Sequence, residues 1–188
     1  ADLLALTLVA WAALGCHEAP AGTSAIDRVF TRRAPAVERA VEAIESNHPG
    51  LPGEWSDLAA RLAEAGGDAA RAARLLVASG RRALSLGALA SAEDALSCAR
   101  GLAHEPTVAI DAADGLCETL ALAGKTGAVL DVGAELLTAI AASDGPPEQA
   151  AEVHLRLARA ALTAGDTAVA EHHVTRAREC AARGDLAT

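Results

Sequence analysis

The sequence predicts an all-α protein, built as an array of helical hairpins. Three observations carry this. Alanine and leucine supply 50 and 25 of the 188 residues, while aromatics make up 2%. That is the composition of closely packed helices, because Ala is the best helix former and allows helix axes to approach. No stretch alternates polar and apolar residues with the period of two that a half-buried strand needs. Glycines recur as helix breaks at Gly87, Gly124 and Gly165, 37 and 41 residues apart.

The elements follow in chain order. Leu3 to Gly15 is almost wholly apolar but too short to span a bilayer. It ends at Gly15-Cys16, so a lipid-anchored envelope scaffold, lipidated at Cys16, is the alternative reading of the whole chain. Against it, Asp2 stands where a signal peptide carries positive charge, and no Lys or Arg precedes Arg28. The preferred reading packs residues 1–15 against the helix around Val37 to Ile44. Ser24 caps a short helix to about Arg33, and Pro35 suits the first turn of the next, with Val37, Val41 and Ile44 on one face. The run Asn47 to Gly53 breaks the chain. Trp55, Leu58 and Leu62 form the apolar stripe of the following helix. Gly66-Gly67 ends it and Asp68 caps a long helix to about residue 86, with Leu75, Leu76 and Leu84 inward. Further helices fall near 88–103, 106–123, 126–142, 147–164 and 167–182. Residues 1–50 thus form a helical flank and residues 51–188 the repeat array.

The glycine spacing has the length of a helical-repeat unit. Aligning Gly80–Ala99 (GRRALSLGALASAEDALSCA) with Ala158–Ala177 (ARAALTAGDTAVAEHHVTRA) pairs Gly80 with Ala158 and Ala83 with Ala161. It also pairs Ala92 with Ala170, Leu96 with Val174, and Ala99 with Ala177. The middle unit places Cys117, Val129, Gly133 and Leu136 at the corresponding positions and fits poorly.

These small and apolar positions resemble those of the tetratricopeptide repeat. The resemblance implies a right-handed superhelix whose first helix in each hairpin lines a concave face. The stretch from Val41 to Ala99 carries a narrower likeness, through His48-Pro49, Gly67-Asp68, Ala72 to Leu84, Leu86-Gly87-Ala88-Leu89 and Ala92 to Leu96. It resembles the entry into the sensor region of MalT-like regulators of the LuxR family. That implies a cytoplasmic, signal-transducing transcriptional regulator with a nucleotide-binding module and a DNA-binding helix-turn-helix elsewhere. Neither motif occurs in this chain, since Gly124-Lys125-Thr126 lacks the upstream glycine and strand of a phosphate loop.

By the same resemblance the groove-facing residues are Arg74, Val77 and Arg81, then Asp111, Asp114 and Glu118, then Glu152, Leu155 and Arg159. The expected occupant is a protein partner or a small-molecule effector; the competing reading is that these charges only bridge neighbouring helices. A homodimer is a further possibility. A net charge of −9 argues against nucleic-acid binding through this segment, and no membrane partner is expected.

No enzymatic chemistry is expected. Cys16, Cys98, Cys117 and Cys180 are too far apart for a zinc or redox motif, so buried free thiols are the default. His172 and His173 point about 100° apart on a helix, so they do not chelate one ion together, although His154 could approach one of them. Asp111, Asp114 and Glu118 lack a matching acid on a second helix and aromatic platforms for a sugar. No cofactor and no metal are therefore expected.

Overall fold

A computed structural model describes residues 23–48 and 55–185, with side chains described from 35 to 48 and from 55 to 184. Among the described residues every regular element is an α-helix: α1 (Thr23–Asn47), α2 (Trp55–Ala65), α3 (Ala69–Ser85), α4 (Leu89–Leu102), α5 (Pro106–Leu122), α6 (Thr126–Ala142), α7 (Pro147–Thr163) and α8 (Thr167–Asp185). The all-α hairpin array expected from the sequence is the fold observed. The apolar run before Cys16 lies outside the described residues.

The turns explain the punctuation. Gly67, Gly87, Gly124 and Gly165 all have φ between 72° and 84°, a region that costs an L side chain but not glycine. At each, two reversed hydrogen bonds close the preceding helix: Gly87 N–H donates to the Leu84 carbonyl and Ala88 N–H to that of Ala83, and the other three turns repeat the pattern. This is the Schellman arrangement, which satisfies carbonyls that a helix end leaves unpaired. Asp68 and Asp166 then start the next helix, accepting from the backbone N–H of Arg71 at 2.9 Å and of Val169 at 3.0 Å. Pro106 and Pro147 open α5 and α7, where a missing N–H has no cost.

The chain divides into two compact units, Ala1–Leu76 and Val77–Thr188. In the first, Val37, Ala40, Val41 and Ile44 of α1 are buried, as are Ala59, Ala60, Leu62 and Ala63 of α2. Arg71 donates to Glu45 at 2.6 Å, tying the start of α3 to α1. His48 and Trp55 stack with ring centroids 3.9 Å apart, which brings the end of α1 to the start of α2.

Two expectations for this unit need correction. One continuous helix runs from Thr23 to Asn47 with Pro35 inside it, not two helices meeting at Pro35. Proline removes one backbone hydrogen bond, but the buried stripe from Val37 to Ile44 anchors the helix directly after it. In α2 the buried face is Ser56, Ala59, Ala60, Leu62 and Ala63, while Trp55 and Leu58 stay half-buried. Small residues let α2 lie close to its neighbour and leave the larger pair at the margin.

The second unit has one continuous core of Ala92, Leu96, Ala113, Leu116, Cys117, Leu120, Val129, Val132, Leu136, Ile140, Val153, Leu157 and Ala160. The aligned positions Ala92, Ala99, Ala161, Ala170 and Ala177 are all buried. Contrary to its poor sequence fit, the middle unit is buried at every corresponding position: Cys117, Val129 and Leu136 are fully enclosed and Gly133 is buried. The reason is a change in which helix supplies the bulk. Leu96 of α4 inserts between Gly80 of α3 and Gly115 of α5; a Cβ on Gly80 would stand 2.5 Å from Leu96 Cγ and one on Gly115 3.1 Å from Leu96 Cδ2. In the next layer the leucine comes from the other side, as Leu157 of α7 packs into the notch left by Gly133 of α6.

Candidate functional site

The seven proposed groove residues lie on α3, α5 and α7, the first helices of successive hairpins. Arg74 is exposed in the first unit. The other six belong to the second. Arg81 donates to Asp111 Oδ1 at 3.0 Å, with both side chains about half exposed (48% and 56%). Asp114 accepts from Arg156 at 2.9 Å, and here the side chains are 20% and 24% exposed. Two of the expected groove acids are therefore committed to bridges between helices, as the competing sequence reading held. Glu118, Glu152 and Arg159 are exposed and have no ion-pair partner among the described residues.

Val77 corrects the groove list: it is 9% exposed and faces the interior, while Leu155 at 45% does look outward. Arg74, Val77 and Arg81 share one side of the helix by their spacing; packing against neighbouring helices, which spacing does not reveal, is what covers Val77.

The structure brings Glu118 and Arg159 to one place. Both line a cavity of 390 Å³ formed by the C-terminal half of α5, the start of α6 and the C-terminal half of α7, along with Leu122, Thr126, Arg156 and Thr163. Arg156 was not singled out from sequence. Its signal is present but ambiguous, because it lies three residues before Arg159 on a helix with several charges. Burial is the largest single influence and disfavours its charge, but the hydrogen bond and the charge of Asp114, together with Cys117, outweigh it and raise its pKa. The same guanidinium reaches Cys117, whose thiol is pushed up chiefly by burial. The cavity thus has one fixed ion pair at its wall, two unpaired opposite charges and an apolar margin. Such a site can hold a charged ligand by hydrogen bonding and exclude water from part of it.

The histidines form a second cluster. His154 of α7, 8% exposed, lies with its Nδ1 3.0 Å from the Nδ1 of His173 on α8, so one ring donates and the other accepts. His172 meets His173 edge-on. Burial, then the neighbouring charge of His173, lowers His154 to about 4; burial and His172 lower His173. The approach of His154 to one of the paired histidines was legible in the sequence. Among the described residues no three His, Cys, Asp or Glu side chains gather as a metal site. Of the thiols, Cys117 and Cys180 are buried, whereas Cys98 is exposed, because it falls on the outer face of α4 between the buried Ala95 and Ala99. Among the described residues no helix is long and apolar enough to cross a membrane.

No family model and no curated protein matches the chain. One solved structure it resembles is that of a Podosopora anserina kinesin light chain with nearly identical TPR-like repeats. The two share 15% identity and a TM-score of 0.46, over 82% of this chain and 88% of that one.

Proposed function

We propose that this chain is the non-enzymatic interaction region of a MalT-like, LuxR-family transcriptional regulator acting in the cytoplasm, with residues 1–50 as a helical flank of the 51–188 array. The family part of this reading rests on the Val41–Ala99 sequence pattern. The binding part rests on the cavity between α5 and α7, where Glu118 and Arg159 stand without ion-pair partners among the described residues beside the fixed Asp114–Arg156 pair. Its occupant is a segment of a protein partner or a small-molecule effector that offers complementary charge. Occupancy would bias the angle between successive hairpins, and because each repeat touches mainly its neighbours, small rotations accumulate along an array.

The test replaces both Glu118 and Arg159 by Ala in the native protein that contains this chain and measures its effector response. The response should be lost while thermal unfolding is unchanged. A full response from a stably folded variant overturns the cavity assignment. The intact mass of that native protein tests the family assignment separately: a mass several times that of this chain supports a multi-module regulator, and a mass near it excludes one.

A further inference from the structure

A second cavity, of 490 Å³, lies on another side of the second unit, where α8 crosses the α6–α7 junction. Its volume falls within the range of about 300–1,000 Å³ typical of small-ligand sites. Its composition is unlike that of the α5–α7 cavity. From α6 come Leu137, Ile140 and Ala141, and from α7 Pro147 and Ala150, giving an apolar floor. From α8 come Arg176, Cys180 and Arg183, at positions i, i+4 and i+7, which a helix places on one face.

The charges on this wall are unequal. Arg176 gives its Nη1 to Glu179 Oε2 at 2.6 Å, so its charge already has a counter-ion. Arg183 donates through Nε to the Glu179 carbonyl at 3.4 Å and through Nη2 to Cys180 Sγ at 3.1 Å. No carboxylate among the described residues pairs with it. Glu148 of α7 has its carboxylate beside Gly184, where a β-carbon would otherwise stand. Arg183 is therefore a guanidinium held at the edge of an apolar cavity by a carbonyl and a thiol, with donors to spare. His154, which also lines the cavity, is uncharged at neutral pH because burial lowers its pKa to about 4, so it adds no competing anion or cation.

The geometry points to a binding site here for a small anionic amphiphile: a molecule with one carboxylate head, taken by Arg183, and an apolar body laid on Leu137, Ile140, Ala141 and Ala150. An apolar floor alone accepts many molecules. A single unneutralised guanidinium at its rim selects for a carboxylate, which a planar fork can bind through two parallel hydrogen bonds. This site is independent of the α5–α7 cavity and of the regulator reading.

Calorimetric titration of the full chain with decanoate, below its micellar concentration, tests the proposal. Binding should saturate at one site. Arg183→Gln should weaken it by about tenfold or more, and 1-decanol should bind correspondingly less tightly than decanoate. Arg178→Gln, on the same helix but outside the cavity, should leave affinity unchanged. Ala150→Trp, which fills the floor, should abolish binding. The proposal falls if decanoate gives no saturable binding, if Arg183→Gln and Arg178→Gln weaken it equally, or if a folded Ala150→Trp protein binds as the parent does. Should Ala150→Trp fail to fold, the two arginine variants and decanol still decide the matter.

Discussion

The α3–α4 and α7–α8 hairpins occupy equivalent positions in the repeat, yet each solves its helix crossing differently. In the first, the paired positions are Gly80 and Leu96; in the second, Ala158 and Val174. One carbon moves from one member of the pair to the other and the total side-chain volume is kept. Leu96 is fully buried between two glycines, whereas Val174 is half-buried. The middle hairpin has Cys117 and Gly133 at these places, and Leu157 from α7 packs into the space at Gly133. What the repeat conserves is the volume of a layer, not the identity of a residue, because interiors are packed as densely as crystals and neither overfilling nor voids are tolerated cheaply. The last hairpin differs in a second way: His154 and His173 meet across it, and the α3–α4 hairpin contains no histidine.

The comparison makes predictions of decreasing size. Leu96→Ala should cost about 3 kcal/mol in denaturant unfolding, since it empties a fully enclosed site whose glycine walls have no side chains to relax into it. Within the same layer Gly80→Ala should cost about 1–3 kcal/mol by overpacking. Adding Leu96→Val to it copies the Ala158–Val174 solution and should recover much of that loss. Simple additivity of the two changes in a double-mutant cycle would break the constant-volume account.

The histidine pair should make the α7–α8 hairpin the acid-sensitive one. His154 has a folded pKa of about 4, below an unfolded value of about 6.5. The unfolded chain therefore binds more protons between those values. Its stabilising neutrality is complete above about pH 6.5 and is lost as pH falls toward 4. The expected loss over that window is on the order of 2 kcal/mol, with His173 adding to it in the same direction. Hydrogen exchange across the pH range should show α7 and α8 losing protection before α3 and α4, and His154→Gln should flatten the dependence. Equal protection loss in both hairpins would place the acid sensitivity elsewhere.

Smaller effects separate the two ion pairs. Asp114→Ala should cost about 1–2 kcal/mol, because it strands the largely buried Arg156. Asp111→Ala should cost less than about 0.5 kcal/mol, because its bridge to Arg81 is half exposed and screened by water and salt. Both would be read from thermal unfolding at low and high salt, with salt moving only the second difference.

Much of the architecture was determined by the sequence alone. The helix class, the placement of the helices from α3 to α8 within about three residues, the glycine turns and the Asp68 start all follow from local physics. Propensity, missing β-carbons and side-chain capping act within a few residues of their cause and need no knowledge of the rest of the chain. The buried status of Ala92, Ala99, Ala170 and Ala177 was legible for a related reason, since regular spacing on a helix implies a shared face. Only the tertiary structure decided which side chain fills each notch, and so why Gly133 stands where the other two hairpins carry Leu96 and Val174. It also decided that Val77 points inward, that Asp114 is taken by Arg156, and that Glu118 meets Arg159 at one cavity. Those outcomes depend on the angle and separation of helices up to 42 residues apart in the chain. Spacing within one helix fixes which face a residue occupies, but not what stands opposite it.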